Sequence, residues 1–324
     1  MKALLCTKVG TADDLVLADI PDPVPGPGEV CVRVHSVSLN FFDTLIIANK
    51  YQIKPAMPFS PGAEFAGVVE STGNGVTACA PGDRVMAYCR FGAAREQVVL
   101  REEQIIRMPD GLDFDRAAGL CVTYGTSLYA LDNRAQLKAG ETLAVLGASG
   151  GVGTAAVEIG KLLGARVIAC ASSADKLAFA RQHGADETID YSTEDLKTRL
   201  RDLTDGKGVD VVYDPVGGAF SEAALRSMNW EGRFLVIGFA AGDIPRIPLN
   251  LVLLRSCDVR GVAWGAWADR DTAGHRVNAK RLLAWEKAGK LSTHIHAVYP
   301  LAQAADALKA IARREVKGKV ILRV

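Results

Sequence analysis

The stretch ETLAVLGASGGVGTAAVEIGKLLGA, residues 141–165, constrains the fold of this chain more than any other. It sets an apolar run, a turn dense in glycine and a helical pattern end to end, and a second apolar run follows at 166–171. Two parallel strands joined by a crossover helix satisfy that order. In such a unit a dinucleotide pyrophosphate rests on the unpaired N–H groups at the helix N-terminus. There the helix dipole favours negative charge, and a side chain beyond Cβ would hold the phosphates away. Ala148 stands where the usual G-x-G-x-x-G motif has its first glycine, and Ser149, Gly150, Gly151 and Val152 complete the turn. Gly150 and Gly151 are expected to permit the approach of the phosphates, and Gly153 to let the helix pack close to the first strand. A phosphate-loop NTPase is excluded, because Lys161 is followed by Leu162 and position 155 is Ala where that motif needs Gly.

The choice of dinucleotide is written at the end of the second strand, where an Asp or Glu would bind the ribose 2′-hydroxyl of NAD. This chain has Ala171, Ser172 and Ser173 there, with Lys176 one helical turn later. Two hydroxyls and a cation, with no acid to repel a phosphate, predict NADPH.

Six strands are expected in this part of the chain, at 142–146, 166–171, 187–190, 209–213, 233–238 and 259–263. Helices with apolar residues at three- and four-residue spacing lie between them at 152–163, 174–183, 194–203 and 219–228. The first third reads differently. Short alternating runs broken by PDPVPGPGE, SPGAE and APGD suggest an irregular β domain, and the tail adds helices at 276–287 and 302–313 and a closing strand at 319–324.

At 324 residues two domains are expected. Lys plus Arg number 38 against 37 for Asp plus Glu, so the basic field that drives nucleic-acid binding is missing. No apolar run approaches the length needed to cross a bilayer, and the start, MKALLCTKVG, is too short in apolar residues for a secretory signal, so a cytoplasmic protein is expected. Seven cysteines without a C-x-x-C pair read as small core residues rather than a disulfide framework.

Several motifs occur together: VCVRVHSVSLNFFDTLI, FSPGAEFAGVVE, APGDRV, ASGGVG, VVYDPVGG, RFLVIGF and GKVIL. In their order and rough spacing the chain resembles the zinc-free quinone oxidoreductases, the zeta-crystallin-like branch of the medium-chain dehydrogenases/reductases. The resemblance implies an α/β protein in which a GroES-like, β-rich catalytic domain, 1–122 and 265–324, is interrupted by a doubly wound Rossmann domain, 123–264, with a six-stranded parallel sheet. In zinc alcohol dehydrogenases of the same superfamily a Cys, a His and a Cys hold the catalytic metal. Asn40 and Ala63 look like the residues at the first two of those places, so no metal is expected.

The resemblance further implies that Asn40, Asp43 and Tyr51 line the space beside the nicotinamide, with Asn40 the direct donor to the substrate oxygen. Thr126 is implied near the nicotinamide end, Tyr191 beside the adenine, Gly238 and Phe239 after the fifth strand, and Arg314 on the 2′-phosphate side. Asp43 could equally be a local cap, Tyr51 and Tyr191 packing aromatics, and Lys176 an ordinary surface lysine. The substrate class implied is a quinone or an α,β-unsaturated carbonyl. A homodimer is implied through the sixth strand near 258–264, in the segment DVRGVAWGAW (258–267) that carries two tryptophans. A short-chain dehydrogenase is disfavoured, since no Y-x-x-x-K occurs. A non-catalytic NADPH-binding protein of the zeta-crystallin type stays open, because fold alone does not exclude it.

Overall fold

A computed structural model describes all 324 residues. The chain forms two compact units. One comprises 1–122, 268–289 and 293–324; the other comprises 123–267 and 290–292.

The second unit is built on six parallel strands. Side by side they run Glu187–Asp190, Arg166–Ala171, Thr142–Leu146, Val209–Asp214, Met228–Val236 and Asp258–Gly261. In chain order this is 3-2-1-4-5-6, the doubly wound arrangement whose ligand crevice lies where the order reverses, at the carboxyl end of the first strand. Both faces of a sheet of this kind are covered, and Thr142–Leu146 is accordingly buried at every residue. The helix Gly151–Leu162 follows it and is buried at every residue from Gly153 to Gly160.

Four segments over residues 120–270 differ from the sequence expectation. The sixth strand ends at Gly261, and Trp264–Arg270 is a helix. Trp264 is buried because its indole fills the space above Gly125, where a Cβ would lie 2.8 Å from the ring. That tertiary contact overrides the strand preference of the tryptophan. A helix at Leu249–Arg255, unanticipated, leads into the last strand. Residues 120–134 form a run of helix with wide π-type turns at Leu120–Tyr124 and Tyr129–Arg134. The fifth strand starts earlier and ends earlier than expected, at Met228 and Val236.

The first unit is organised around Glu29–Leu39, an 11-residue strand. It pairs antiparallel with Glu64–Thr72, with Gln97–Arg101 and with the closing strand Lys319–Arg323. Residues from both ends of the sequence therefore share one sheet. The register sets Val320 opposite Leu39 and Glu64 opposite Ser38. Three strand ends, carrying Asn40, Glu64 and Lys319, meet at one corner. Val32, Val37, Phe65, Val85 and Leu322 are among the side chains that close the core of this unit. No helix is long and apolar enough to cross a membrane.

Candidate active site

Two sets of candidate groups are found, one in each unit. In the second unit, the glycine turn has the geometry its motif requires. Gly147 adopts φ +60°, and a Cβ at Gly153 would sit 2.2 Å from the Gly147 carbonyl oxygen, so Gly153 is demanded by the close approach of helix and turn. Gly150 differs, since a Cβ there would meet only the Gly147 oxygen at 3.6 Å, an ordinary contact. Its own packing does not require glycine, and the space beside it suits a phosphate. The turn is pinned from behind: Ala148 N–H donates to the Cys170 carbonyl at 3.1 Å, and the Thr154 hydroxyl donates to the Ala148 carbonyl at 3.3 Å. Gly150 is the N-cap of the helix, so the first N–H groups beyond it lack intrahelical acceptors. Ser149 and Val152 lie on this turn, and the residues present fit a dinucleotide pyrophosphate.

At the end of the second strand Ser172, Ser173 and Lys176 are brought together. Ser173 caps the helix Ala174–Gln182, its Oγ accepting from Lys176 N–H at 3.4 Å, and Lys176 Nζ lies 3.4 Å from Ser172 Oγ. Tyr191 stands next to them through its N–H bond to the Ala171 carbonyl, and its ring packs on Phe220 at 4.3 Å. Thr126 is buried in the helix Gly125–Leu128. Gly238 and Phe239 follow the fifth strand, and Phe239 lies against Gly217. Arg314 belongs to the first unit, in a left-handed turn at φ +59° after the helix Ala304–Ala312.

In the first unit Asn40 ends the long strand and starts the helix Phe41–Ile47. Its side chain does not cap that helix. Asp43 does the capping instead: one carboxylate oxygen accepts from Asn40 N–H at 2.7 Å and the other from Gly62 N–H at 3.0 Å. Burial pushes the Asp43 carboxyl up to about 7, against the pull of those two N–H bonds and of the nearby Lys319 charge.

The Asn40 amide is turned inward. Its Nδ2 donates to Glu64 Oε1 at 2.9 Å and, over a longer 3.4 Å, to the Ser38 carbonyl; its Oδ1 accepts from Lys319 Nζ at 2.7 Å. The orientation follows from the partners, since an ammonium only donates and a carboxylate only accepts. Lys319 Nζ also reaches Glu64 Oε1 at 2.9 Å, and the second Glu64 oxygen accepts from Val122 N–H at 2.7 Å. Glu64 and Lys319 are both buried, with side chains 0% and 3% exposed, so each charge depends on the other. The lysine stem runs beneath Gly119, where a Cβ would be 3.3 Å from Lys319 Cγ.

Tyr51 is half-buried, its ring stacked on Phe42 at 5.4 Å. No protein group takes its hydroxyl. Burial raises its phenol further, which keeps it protonated and able to donate. The seven cysteines are free thiols, and burial raises Cys89 and Cys121 beyond any nucleophilic range. No three His, Cys, Asp or Glu side chains gather where they could share a metal ion.

Glu64 and Lys319 were not singled out from the sequence, although they lie in the PGAE and GKVIL motifs. A charged residue inside each otherwise apolar strand end was the available signal.

Residues 26–110 match the alcohol dehydrogenase GroES-like domain family, and residues 151–279 match the zinc-binding dehydrogenase family. Quinone oxidoreductase-like protein 2 of Rattus norvegicus is 37% identical over 323 residues, covering 99% of this chain and 91% of its own. The chain belongs to the quinone oxidoreductase family of the medium-chain dehydrogenases/reductases. Solved members share the whole architecture. The crystal structure of the quinone oxidoreductase of Pseudomonas syringae pv. tomato is 36% identical, with a TM-score of 0.94 over 100% of this chain and 99% of that one. The Escherichia coli quinone oxidoreductase complexed with NADPH superposes with a TM-score of 0.94 at 27% identity, covering 100% of each chain. As in that family, an oxidoreductase is built from a GroES-like part and a Rossmann part.

Proposed function

We propose that this enzyme reduces quinones or α,β-unsaturated carbonyl compounds with NADPH and without zinc. The observation that carries the reading is the corner around Asn40. There the Asn40 amide is held by the side chain of Lys319, and by resemblance this amide takes the place of a metal-ligating cysteine in the zinc relatives.

Bound NADPH supplies the hydride. The helix N-terminus at Gly151 and the open space at Gly150 hold the pyrophosphate. Ser172, Ser173 and Lys176 hold the 2′-phosphate, with Arg314 assigned to the same side by resemblance. Thr126 serves the nicotinamide end, Tyr191 the adenine, and Gly238 and Phe239 complete the cofactor contacts. When hydride reaches a quinone ring or the β-carbon of an enone, negative charge develops on the substrate oxygen, and donors aimed at that oxygen lower the barrier. Tyr51 has a free hydroxyl for this, and Asn40 has the amide hydrogen held only by the long bond to Ser38. Asp43 holds the Asn40 backbone, and water supplies the final proton.

A cytoplasmic homodimer is part of the same proposal. The edge strand Asp258–Gly261 has no neighbour on its outer side, and Val259, Leu249, Leu253 and Leu254 are exposed around it.

The test is loss of NADPH absorbance with 1,4-naphthoquinone and a panel of simple enones, before and after dialysis against a chelator, with sedimentation run in parallel. Turnover that survives the chelator is expected. Activity that vanishes and returns with zinc would overturn the metal-free mechanism. Tight NADPH binding with no turnover across the panel would instead make this a binding protein.

A further inference from the structure

The buried pair Lys319 and Glu64 is not among the groups assigned above to the cofactor or the substrate. We propose that Lys319 is the positioning residue for Asn40, its ammonium fixing the side-chain amide so that one Nδ2 hydrogen is spent on Glu64 and the other is left to be given to a substrate oxygen. This rests on the functional reading above.

The geometry supports the division of the two hydrogens. Lys319 Nζ holds Asn40 Oδ1 at 2.7 Å, and Glu64 Oε1 holds Nδ2 at 2.9 Å. An amide gripped at both ends by charged partners has one orientation, because a flip would face donor to donor and acceptor to acceptor. The remaining hydrogen bond, to the Ser38 carbonyl, is 3.4 Å long and is the weakest of the set. An amide oxygen that accepts from a cation also makes its own N–H a better donor, through polarisation along the chain of bonds. Asn40 keeps a small opening, being 7% exposed, whereas Glu64 is fully enclosed. Asn40 is therefore the most exposed member of the triad.

Space and register favour the same role. Gly119 leaves room for the lysine stem, and Val122 N–H occupies the Glu64 oxygen that would otherwise compete for the ammonium. Lys319 reaches this corner because the closing strand pairs with the long strand with Val320 opposite Leu39.

Lys319→Met alone would strand the Glu64 carboxylate, so the decisive protein is the double variant Lys319→Met with Glu64→Gln, which removes both charges together. Its kcat with 1,4-naphthoquinone should fall by at least about a hundredfold, the loss typical of a misplaced oxyanion donor, while its NADPH Kd stays within about twofold. Asn40→Ala added to that double variant should then do little more, because the amide has already lost its aim; in the native background it should be severe. A crystal structure of the double variant should show the Asn40 amide turned or spread over two orientations. A folded double variant with near-native kcat, or full additivity of Asn40→Ala, would overturn the positioning role. An unmoved Asn40 amide in the crystal structure would overturn it even if the native enzyme turned over none of the substrates, a result that would itself sink the functional reading and not this geometry.

Discussion

In the proposed function the nucleotide turn and the Asn40 corner solve the same problem, stabilising negative charge, in opposite ways. At residues 147–153 the donors are backbone N–H groups, contiguous in sequence, and the side chains matter mainly by being small. At the corner the groups are side chains drawn from residues 40, 43, 64 and 319, and buried charges hold them in place. The first is a local design that tolerates almost any surrounding fold with a strand and a helix. The second exists only because three strand ends meet.

Substitutions can break this contrast at its strongest point first. Gly153→Val should abolish NADPH binding and impair folding, since even a Cβ would lie 2.2 Å from a backbone oxygen; a fluorescence titration and a thermal melt report both. Should Gly153→Val bind NADPH normally, the turn is not backbone-controlled. Glu64→Ala, which leaves Lys319 buried without its counter-charge, should lower unfolding free energy by about 3–5 kcal/mol in urea. A change under about 1 kcal/mol would place the pair among ordinary surface bridges.

Asn40→Ala should reduce kcat about a hundredfold with little change in NADPH affinity, and equal activity would remove Asn40 from the mechanism.

The pH dependence of stability sharpens the comparison further. The Asp43 carboxyl is raised in the folded protein from 3.8 to about 7, so its neutral form is favoured by folding. The folded state then holds more protons than the unfolded one between those values, and this group's contribution is full below 3.8 and lost as pH rises through about 7. Urea midpoints measured against pH should show that decline in the native protein, and Asp43→Asn should flatten it; parallel profiles would mean that Asp43 is not protonated in the fold.

Lys176→Ala should give the smallest effect, weakening NADPH by about fivefold to tenfold while sparing NADH, because the lysine is partly hydrated. Equal binding of the two dinucleotides by the native enzyme would refute the 2′-phosphate assignment.

Much of the second unit was legible because its signals are short-range. The strands expected at 142–146, 166–171 and 187–190 are found with the same bounds, and the turn between the first strand and its helix follows the motif. The misreadings fall where distant packing decides. Trp264 looks like a strand residue and becomes helical against Gly125, and the helix Leu249–Arg255, not anticipated from the sequence, exposes Leu249, Leu253 and Leu254. In the first unit Asn40 and Asp43 were noticed by resemblance, yet nothing local in the sequence said which way the Asn40 amide faces.

What the sequence determined by itself is the succession of strands and helices along the chain, the glycine-rich turn after the first parallel strand and the lack of an acid at Ala171, since backbone geometry and residue size act within a few positions. Tertiary structure alone decided that Lys319 lies beside Asn40 and Glu64, 279 and 255 residues away along the chain. The reason is physical: two buried opposite charges persist only where strand register brings them within bonding distance, and register is a property of the assembled sheet.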